Sequence, residues 1–316
     1  MLRIFFSIFT IFSVLIAETT ISGVGFFNYT YDATKDSDND DGFSLKRVYF
    51  TYKNNISDDL SIKFQTDVGE VGDDERLTSY LKKAQVDWKS PIGKLVFGMQ
   101  GMNMFNITEK TWGFRFIEKS PMDLHKFSSS ADLGVGFSNK VGDFSYSMLV
   151  TNGTGYKKQE NDEFKKYSFS AVYGQPKLVK KDGYNVGLSF STESYENAIS
   201  ESYNTTVTSF FGGFADNNFR IGGEFDMETN SETDITRQIM ALYTSYKIKD
   251  NLEGLVYVDM YDPNTDSDDD ASTYIIAGFN YYVEGGLVLT PNMRMINPED
   301  SSDSSMMYKI NLRFKF

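Results

Sequence analysis

The chain carries a single histidine, His125, and no cysteine among its 316 residues. That inventory narrows the chemistry at once. Without thiols there is no disulfide framework and no cysteine-ligated metal. A general base that titrates near neutrality is most often a histidine. Ser-His or Asp-His hydrolysis would therefore have to run through His125, which stands beside Lys126 and two residues after Asp123. No Gly-x-Ser-x-Gly, His-Glu-x-x-His or phosphate-cradling glycine loop accompanies it. Glu224 and Asp226 could be drawn as an acid pair, but residues two apart on a strand share one face and more often line a wet wall. His125 is read as structural or solvent-lining, and the chain as no enzyme.

Carboxylates supply the other candidate chemistry. In Asp36-Ser37-Asp38-Asn39-Asp40-Asp41-Gly42 the side chains of Asp36, Asp38 and Asp40 alternate, a spacing that lets their oxygens converge on Ca²⁺. The match to a calcium-binding loop is incomplete: the glycine comes one place late, and Arg47 stands where the closing glutamate would be. Asp266, Asp268, Asp269 and Asp270 form a second cluster. The plain reading is a solvated, self-repelling loop. The sharper one is loose Ca²⁺ binding by these carboxylate loops, with no other cofactor expected.

These acids also explain the net charge of -13. The segments 32–42, 70–76, 262–270 and 297–304 hold 17 of the 44 acids, leaving 27 acids and 29 basic residues elsewhere. The acidity belongs to a few loops, and the rest of the chain is close to neutral.

The elements that must carry these residues read as strands. From Tyr308 onward, Tyr308, Ile310, Leu312, Phe314 and Phe316 alternate with Lys309, Asn311, Arg313 and Lys315, which puts the two sets on opposite faces of a strand. The rhythm recurs upstream: Val48, Phe50 and Tyr52 oppose Arg47, Tyr49, Thr51 and Lys53, and Leu60, Ile62 and Phe64 oppose Ser61, Lys63 and Gln65. Short turns at Ser90-Pro91-Ile92-Gly93, Lys140-Val141-Gly142-Asp143, Lys249-Asp250-Asn251 and Gly285-Gly286 suit hairpins. Counting hairpins predicts sixteen strands. The stretch 203–215 shows no clean face, so fourteen stays open.

Aromatics make up 16% of the chain while mean hydropathy is negative, at -0.38. One apolar and one polar face per strand fits a transmembrane β-barrel with lipid outside and water inside. Lipid offers no partner to an open sheet edge, so the sheet must close. The fold expected is all-β: a transmembrane antiparallel barrel of about sixteen strands, which leaves an aqueous lumen. Residues 1–17 read as a signal peptide, with Arg3, an apolar run from Ile4 to Ile16 and Ala17 before the cut. A retained anchor is the alternative. Residues 18–316 are expected to form one barrel domain, exported to the outer membrane.

Basic residues expected on the lumen face include Arg47, Lys83, Lys309 and Arg313, and such side chains lower the barrier to anions in a pore. One connection breaks the hairpin pattern. Residues 102–130 are far longer than an ordinary turn, which marks a functional or a disordered loop. Phe105, Trp112, Phe114, Phe116, Ile117 and Leu124 give the loop apolar surface to pack on a wall, and Lys110, Arg115, Lys119, His125 and Lys126 give it basic character. It follows the fifth strand, which makes it the third outer loop; in that place it resembles the loop that sixteen-stranded porins fold inward, and the resemblance implies that it constricts the pore.

Phe43-Ser44-Leu45-Lys46-Arg47-Val48-Tyr49-Phe50, Leu95-Val96-Phe97-Gly98-Met99-Gln100, Arg115-Phe116-Ile117-Glu118-Lys119-Ser120 and Leu133-Gly134-Val135-Gly136-Phe137 together resemble the phosphate-selective porin family (porins O and P). The resemblance covers mainly residues 43–155. It implies a sixteen-stranded, often trimeric channel whose constriction coordinates anions through basic residues. This chain departs from the family in having few arginines and many acidic loop residues. The closing strand with Phe316 as last residue resembles the C-terminal signal read by the barrel-assembly machinery.

The function expected is a water-filled channel for small hydrophilic solutes and ions, with anions or phosphate preferred. A general or cation-preferring diffusion channel and a non-conducting structural or adhesive barrel are the alternatives. Expected partners are outer-membrane lipids, lipopolysaccharide, the assembly machinery, the permeating solutes and two further copies of the chain in a homotrimer; nucleic acid is not among them.

Overall fold

The computed structural model describes residues 19–37, 41–71, 74–160, 162–300 and 302–316. The predicted signal peptide lies outside these residues, as do Asp38 and Asp40. Strands β1 (Thr19–Asp32), β2 (Gly42–Asn55), β3 (Leu60–Val71), β4 (Asp74–Ser90) and β5 (Gly93–Gly101) come first. Two short helices follow, α1 (Asn106–Trp112) and α2 (Pro121–Leu124). Then come β6 (Ala131–Val141), β7 (Phe144–Thr151), β8 (Lys166–Gly174), β9 (Gly183–Glu196), β10 (Ser202–Asp216) and β11 (Phe219–Asn230). The chain ends with β12 (Thr236–Lys249), β13 (Leu252–Asp262), β14 (Ser272–Tyr282), β15 (Val288–Pro298) and β16 (Ser305–Lys315).

Every strand pairs antiparallel with its neighbours in sequence, and β1 pairs with β16, so the sixteen strands close into a barrel. Closure leaves no strand edge unpaired. Phe316 completes the seam: its N–H donates to Gly23 O at 3.2 Å, and Gly23 N–H donates to Phe316 O at 3.0 Å. An even strand count puts both chain ends at one rim, called here the terminal end. The other rim carries the longer connections and is called the loop end.

The two faces of the sheet are sorted as the alternation predicted. Phe27, Phe50, Trp88, Phe97, Phe210 and Phe314 are exposed on the outside, while Asn28, Asp67, Gln100, Asp226, Asn280 and Asn311 are buried on the inside. A protein surrounded by water would bury the first set. The reverse sorting suits lipid without and polar contents within.

The ambiguous stretch 203–215 is a full strand, β10. Phe210 and Phe214 face out, and Val207 and Phe211 are apolar yet buried on the inner face. They pack on residues 102–130: Val207 joins a cluster with Met104, Phe105, Met122 and Phe127, and Phe211 one with Ile107 and Val172. A strand apolar on both faces shows no alternation, because here the inside also holds protein.

Two β-bulges alter which side chains reach the interior. Between β1 and β2, Phe26 pairs with Arg47 and Phe27 with Leu45, leaving Lys46 as the extra residue. Between β3 and β4, Gln65 pairs with Lys83 and Thr66 with Leu81, leaving Lys82 extra. An extra residue breaks strict alternation, so Lys46-Arg47 and Lys82-Lys83 both point inward as adjacent pairs.

Candidate pore-lining site

Residues 102–130 make their main apolar contacts across the barrel, on the inner faces of strands beyond the β5 and β6 they connect. Helix α1 buries Ile107, Thr108, Thr111 and Trp112, which fall on one side of a helix. Trp112, Phe114, Phe116 and Ile117 form a cluster with Tyr243, Tyr257, Leu255, Ile276 and Val288 of β12 to β15. Thr111 fits against β10 and β11 because Gly213 and Gly222 carry no side chain there; a Cβ on either would come within 2.8 and 2.5 Å of Thr111 Cγ2. Gly113 ends α1 in the left-handed conformation (φ 79°) that glycine adopts without penalty, its N–H donating to Glu109 O at 2.8 Å.

Polar clamps fix the same segment. Arg294 of β15 is buried and donates to Ile117 O and Glu118 Oε2, each at 2.6 Å, and to Tyr274 Oη at 2.9 Å. Asn311 of β16 donates to Phe116 O at 3.0 Å. His125 Nε2 lies 2.8 Å from Asp259 Oδ2 of β13, and its ring stacks on Tyr261 at 4.0 Å. Asp259 also accepts the Tyr257 hydroxyl at 3.0 Å. The one histidine is thus engaged in an Asp-His pair that holds the end of α2 to the wall.

The opposite side of the segment faces β1 to β5 and is less filled. One cavity of about 440 Å³ is lined by Lys63, Gln65, Lys83, Gln85, Gln100, Glu109, Lys110 and Arg115, among others. A second of about 250 Å³ is bordered by Lys46, Arg47, Arg115, Lys119, Arg294 and Lys309. Among the described residues, Lys63, Lys83 and Lys110 have no carboxylate within ion-pair distance. Burial, with Lys177 nearby, holds the Lys110 ammonium below the ordinary lysine range, Glu109 only partly opposing it.

Other basic residues are neutralised where they stand. Arg115 pairs with Glu109 and with Asp123, the latter at 2.6 Å. Burial alone would lower its pKa, but those two carboxylates outweigh burial and hold the guanidinium above its usual value. Arg47 contacts the Tyr49 hydroxyl and lies 3.4 Å from Asp67, which also sits 3.9 Å from Lys82. Arg313 lies over the Phe116 ring at 4.9 Å and borders a cavity at the terminal end. Lys126 stands apart, exposed and in the left-handed conformation at φ 63°.

Of the basic residues singled out from sequence, then, Lys83, Lys110, Lys119, Arg115, Arg47 and Lys309 border the two cavities beside β1 to β5, and Arg313, His125 and Lys126 do not. Lys46 and Lys82 were missed. The signal was present: two adjacent basic residues in an alternating strand would send one into lipid, at ~2–4 kcal/mol near the midplane. A bulge removes that conflict. Glu224 and Asp226 are buried on β11, which α1 packs against, so they do not line a wet wall. Asp36 of the acidic loop has φ 57°, and no cluster of three metal-ligating groups occurs among the described residues.

The fold is that of the sixteen-stranded outer-membrane porin barrels. An anion-selective porin from Comamonas acidovorans superposes with a TM-score of 0.70 at 13% identity, covering 95% of this chain and all of that one (100%). OmpT, an outer membrane protein of Vibrio cholerae, gives 0.69 at 12% identity, covering 95% and 98%. The outer membrane channel DcaP of Acinetobacter baumannii gives 0.69 at 12%, covering 95% and 97%. No protein-family model matches the sequence, and no curated protein matches it. The likeness extends to porins and channels of several kinds, without singling out the phosphate-selective family.

Proposed function

We propose that the chain forms a water-filled diffusion channel in the outer membrane and that it prefers small anions. The observation that carries this reading is the asymmetry of the interior. One side of residues 102–130 is packed against β8 and β10 to β16, while the side toward β1 to β5 leaves polar cavities bordered by Lys63, Lys83 and Lys110, which among the described residues have no carboxylate within ion-pair distance. Unpaired ammonium groups in a narrow, partly desolvated passage raise the local concentration of anions and lower their barrier. In this reading residues 102–130 are the constriction, the terminal end is periplasmic, and phosphate is the anion to test first.

An enzymatic role for the His125–Asp259 pair is disfavoured by its geometry. Both side chains are engaged in holding the segment, Asp259 is buried, and Tyr257 occupies the oxygen that faces His125. The assembly machinery would read the closing strand through Phe316. Lipid and lipopolysaccharide would cover the aromatic outer face, and a homotrimer would show as an SDS-resistant, heat-sensitive oligomer on a gel. Loose Ca²⁺ binding at the acidic loops belongs to the same proposal and is checked by calorimetric titration.

The deciding experiment is a planar-bilayer recording in a KCl gradient. A reversal potential of anion-selective sign is expected. A cation-selective sign would remove the anion reading and keep the channel, and no conductance would leave a structural barrel. Added phosphate reduces the chloride current if it shares the passage, whereas an unaffected current marks a general diffusion channel.

A further inference from the structure

Antiparallel strands need only two residues to turn, and the turns 142–143, 217–218 and 250–251 at the terminal end use two. The turn between β8 and β9 uses eight, 175–182. Its sequence, Gln-Pro-Lys-Leu-Val-Lys-Lys-Asp, sets Leu178-Val179 between lysines at its centre. At a free turn that apolar pair would meet water, yet Leu178 is only 3% exposed.

The reason is that the turn folds back into the mouth of the barrel and docks on the end of α1. Val179 N–H donates to Lys110 O at 3.0 Å. Val179 lies against Gly113, where a Cβ would meet its Cγ2 at 2.5 Å, and Leu178 Cδ1 lies 2.9 Å from the place a Cβ would take on Gly213 of β10. Asn185 ties turn and helix together, donating to Gln175 O at 2.9 Å and to Thr111 Oγ1 at 3.4 Å. The N–H groups of Lys180 and Lys181 both donate to Lys177 O, which makes the tip compact. Between this tip and the far wall lies a cavity of about 470 Å³, bordered by Lys180, Lys181, Arg220, Glu253, Tyr282 and Arg313.

We infer that turn 175–182 is a second selectivity element: it supports residues 102–130 from the terminal end and narrows that mouth, so that the size limit is set by loop and turn together. This rests on the channel reading. Two measurements test it. Replacing 175–182 by Asn-Gly shortens the turn to hairpin length, and a rise in single-channel conductance with entry of larger sugars in liposome swelling is expected. Because the chain has no cysteine, Lys181→Cys offers a unique thiol in a full-length turn. A bulky thiol reagent added at the terminal end should then reduce the current, with little effect from the loop end. An unchanged current after labelling of K181C overturns the inference whether or not the shortened chain folds, and leaves the channel reading standing. Absence of conductance in the unaltered protein removes the channel reading itself.

Discussion

Asp67 shows how single residues are set against one another inside this barrel. Fully buried on β3, it accepts from the Tyr80 hydroxyl at 3.2 Å and lies near both Arg47 and Lys82. Two inward cations depend on this one carboxylate. Removing one partner of a buried ion group leaves the others uncompensated, at about 3–5 kcal/mol. Asp67→Asn should therefore destabilise the barrel by that order, read as a lower urea midpoint for loss of the folded form. Lys110 offers a test of selectivity instead. Its ammonium is held below the ordinary lysine range by burial, so it loses its proton at a lower pH than an exposed lysine does. Anion preference should fall as pH rises through that titration, and Lys110→Gln should weaken the preference and shrink its pH-dependent part. A reversal potential unaltered by the substitution would place Lys110 off the ion path.

At the scale of elements, residues 102–130 behave as a packed insert. Its hydrophobic anchor is Trp112, 1% exposed, with Tyr243 and Tyr257 at 5.8 and 5.2 Å between ring centroids. Its polar anchor is Arg294. Truncating a buried aromatic of this size costs ~3–5 kcal/mol. Here the loss falls on the insert more than on the strand ladder, since the ladder hydrogen bonds run between strands. Trp112→Ala and Arg294→Met should thus leave a closed, heat-modifiable barrel on a gel while increasing current noise and proteolytic cleavage within 102–130. Unchanged noise and protease resistance in both would show that the anchors do not hold the insert. The bulges act at this scale too. Deleting Lys82 would restore alternation between β3 and β4 and shift the facing of the residues on one side of it, so strand pairing or insertion should suffer, read as loss of the heat-modifiable band.

The whole molecule is a closed sheet whose outside is apolar and whose inside is divided. About half the wall holds the insert, and the strands there add apolar residues on the inner face to those on the outer one; the wall of β1 to β5 borders the cavity lined by Lys63, Lys83 and Lys110. The acidic loops sit at one rim, so the charge that dominates the composition is not the charge that lines the passage. Raising ionic strength should therefore weaken anion preference as the Debye length shortens, and neutralising Asp266, Asp268, Asp269 and Asp270 together should change reversal potential less than neutralising Lys83 and Lys110 does. The opposite ranking would assign selectivity to the loop rim.

Much of this was legible in the sequence because a strand has period two: wherever one face meets lipid and the other water, alternation records it. The closing strand from Tyr308 to Phe316, the hairpin turns and the sixteen-strand count follow from that rule, and the apolar content of 102–130 marked it as packed. What alternation cannot express is contact between distant strands. β10 looked faceless because its inner side meets Phe127 and Ile107 instead of water. Lys46 and Lys82 turn inward through bulges defined only by their pairing strands. The docking of turn 175–182 depends on Gly113 and Gly213, remote in sequence and brought beneath it by closure. Local pattern determined that the chain would be a barrel; only the tertiary structure decided which part of its interior is protein and which is open, because that depends on how residues 102–130 and 175–182 fill a space no single strand encloses.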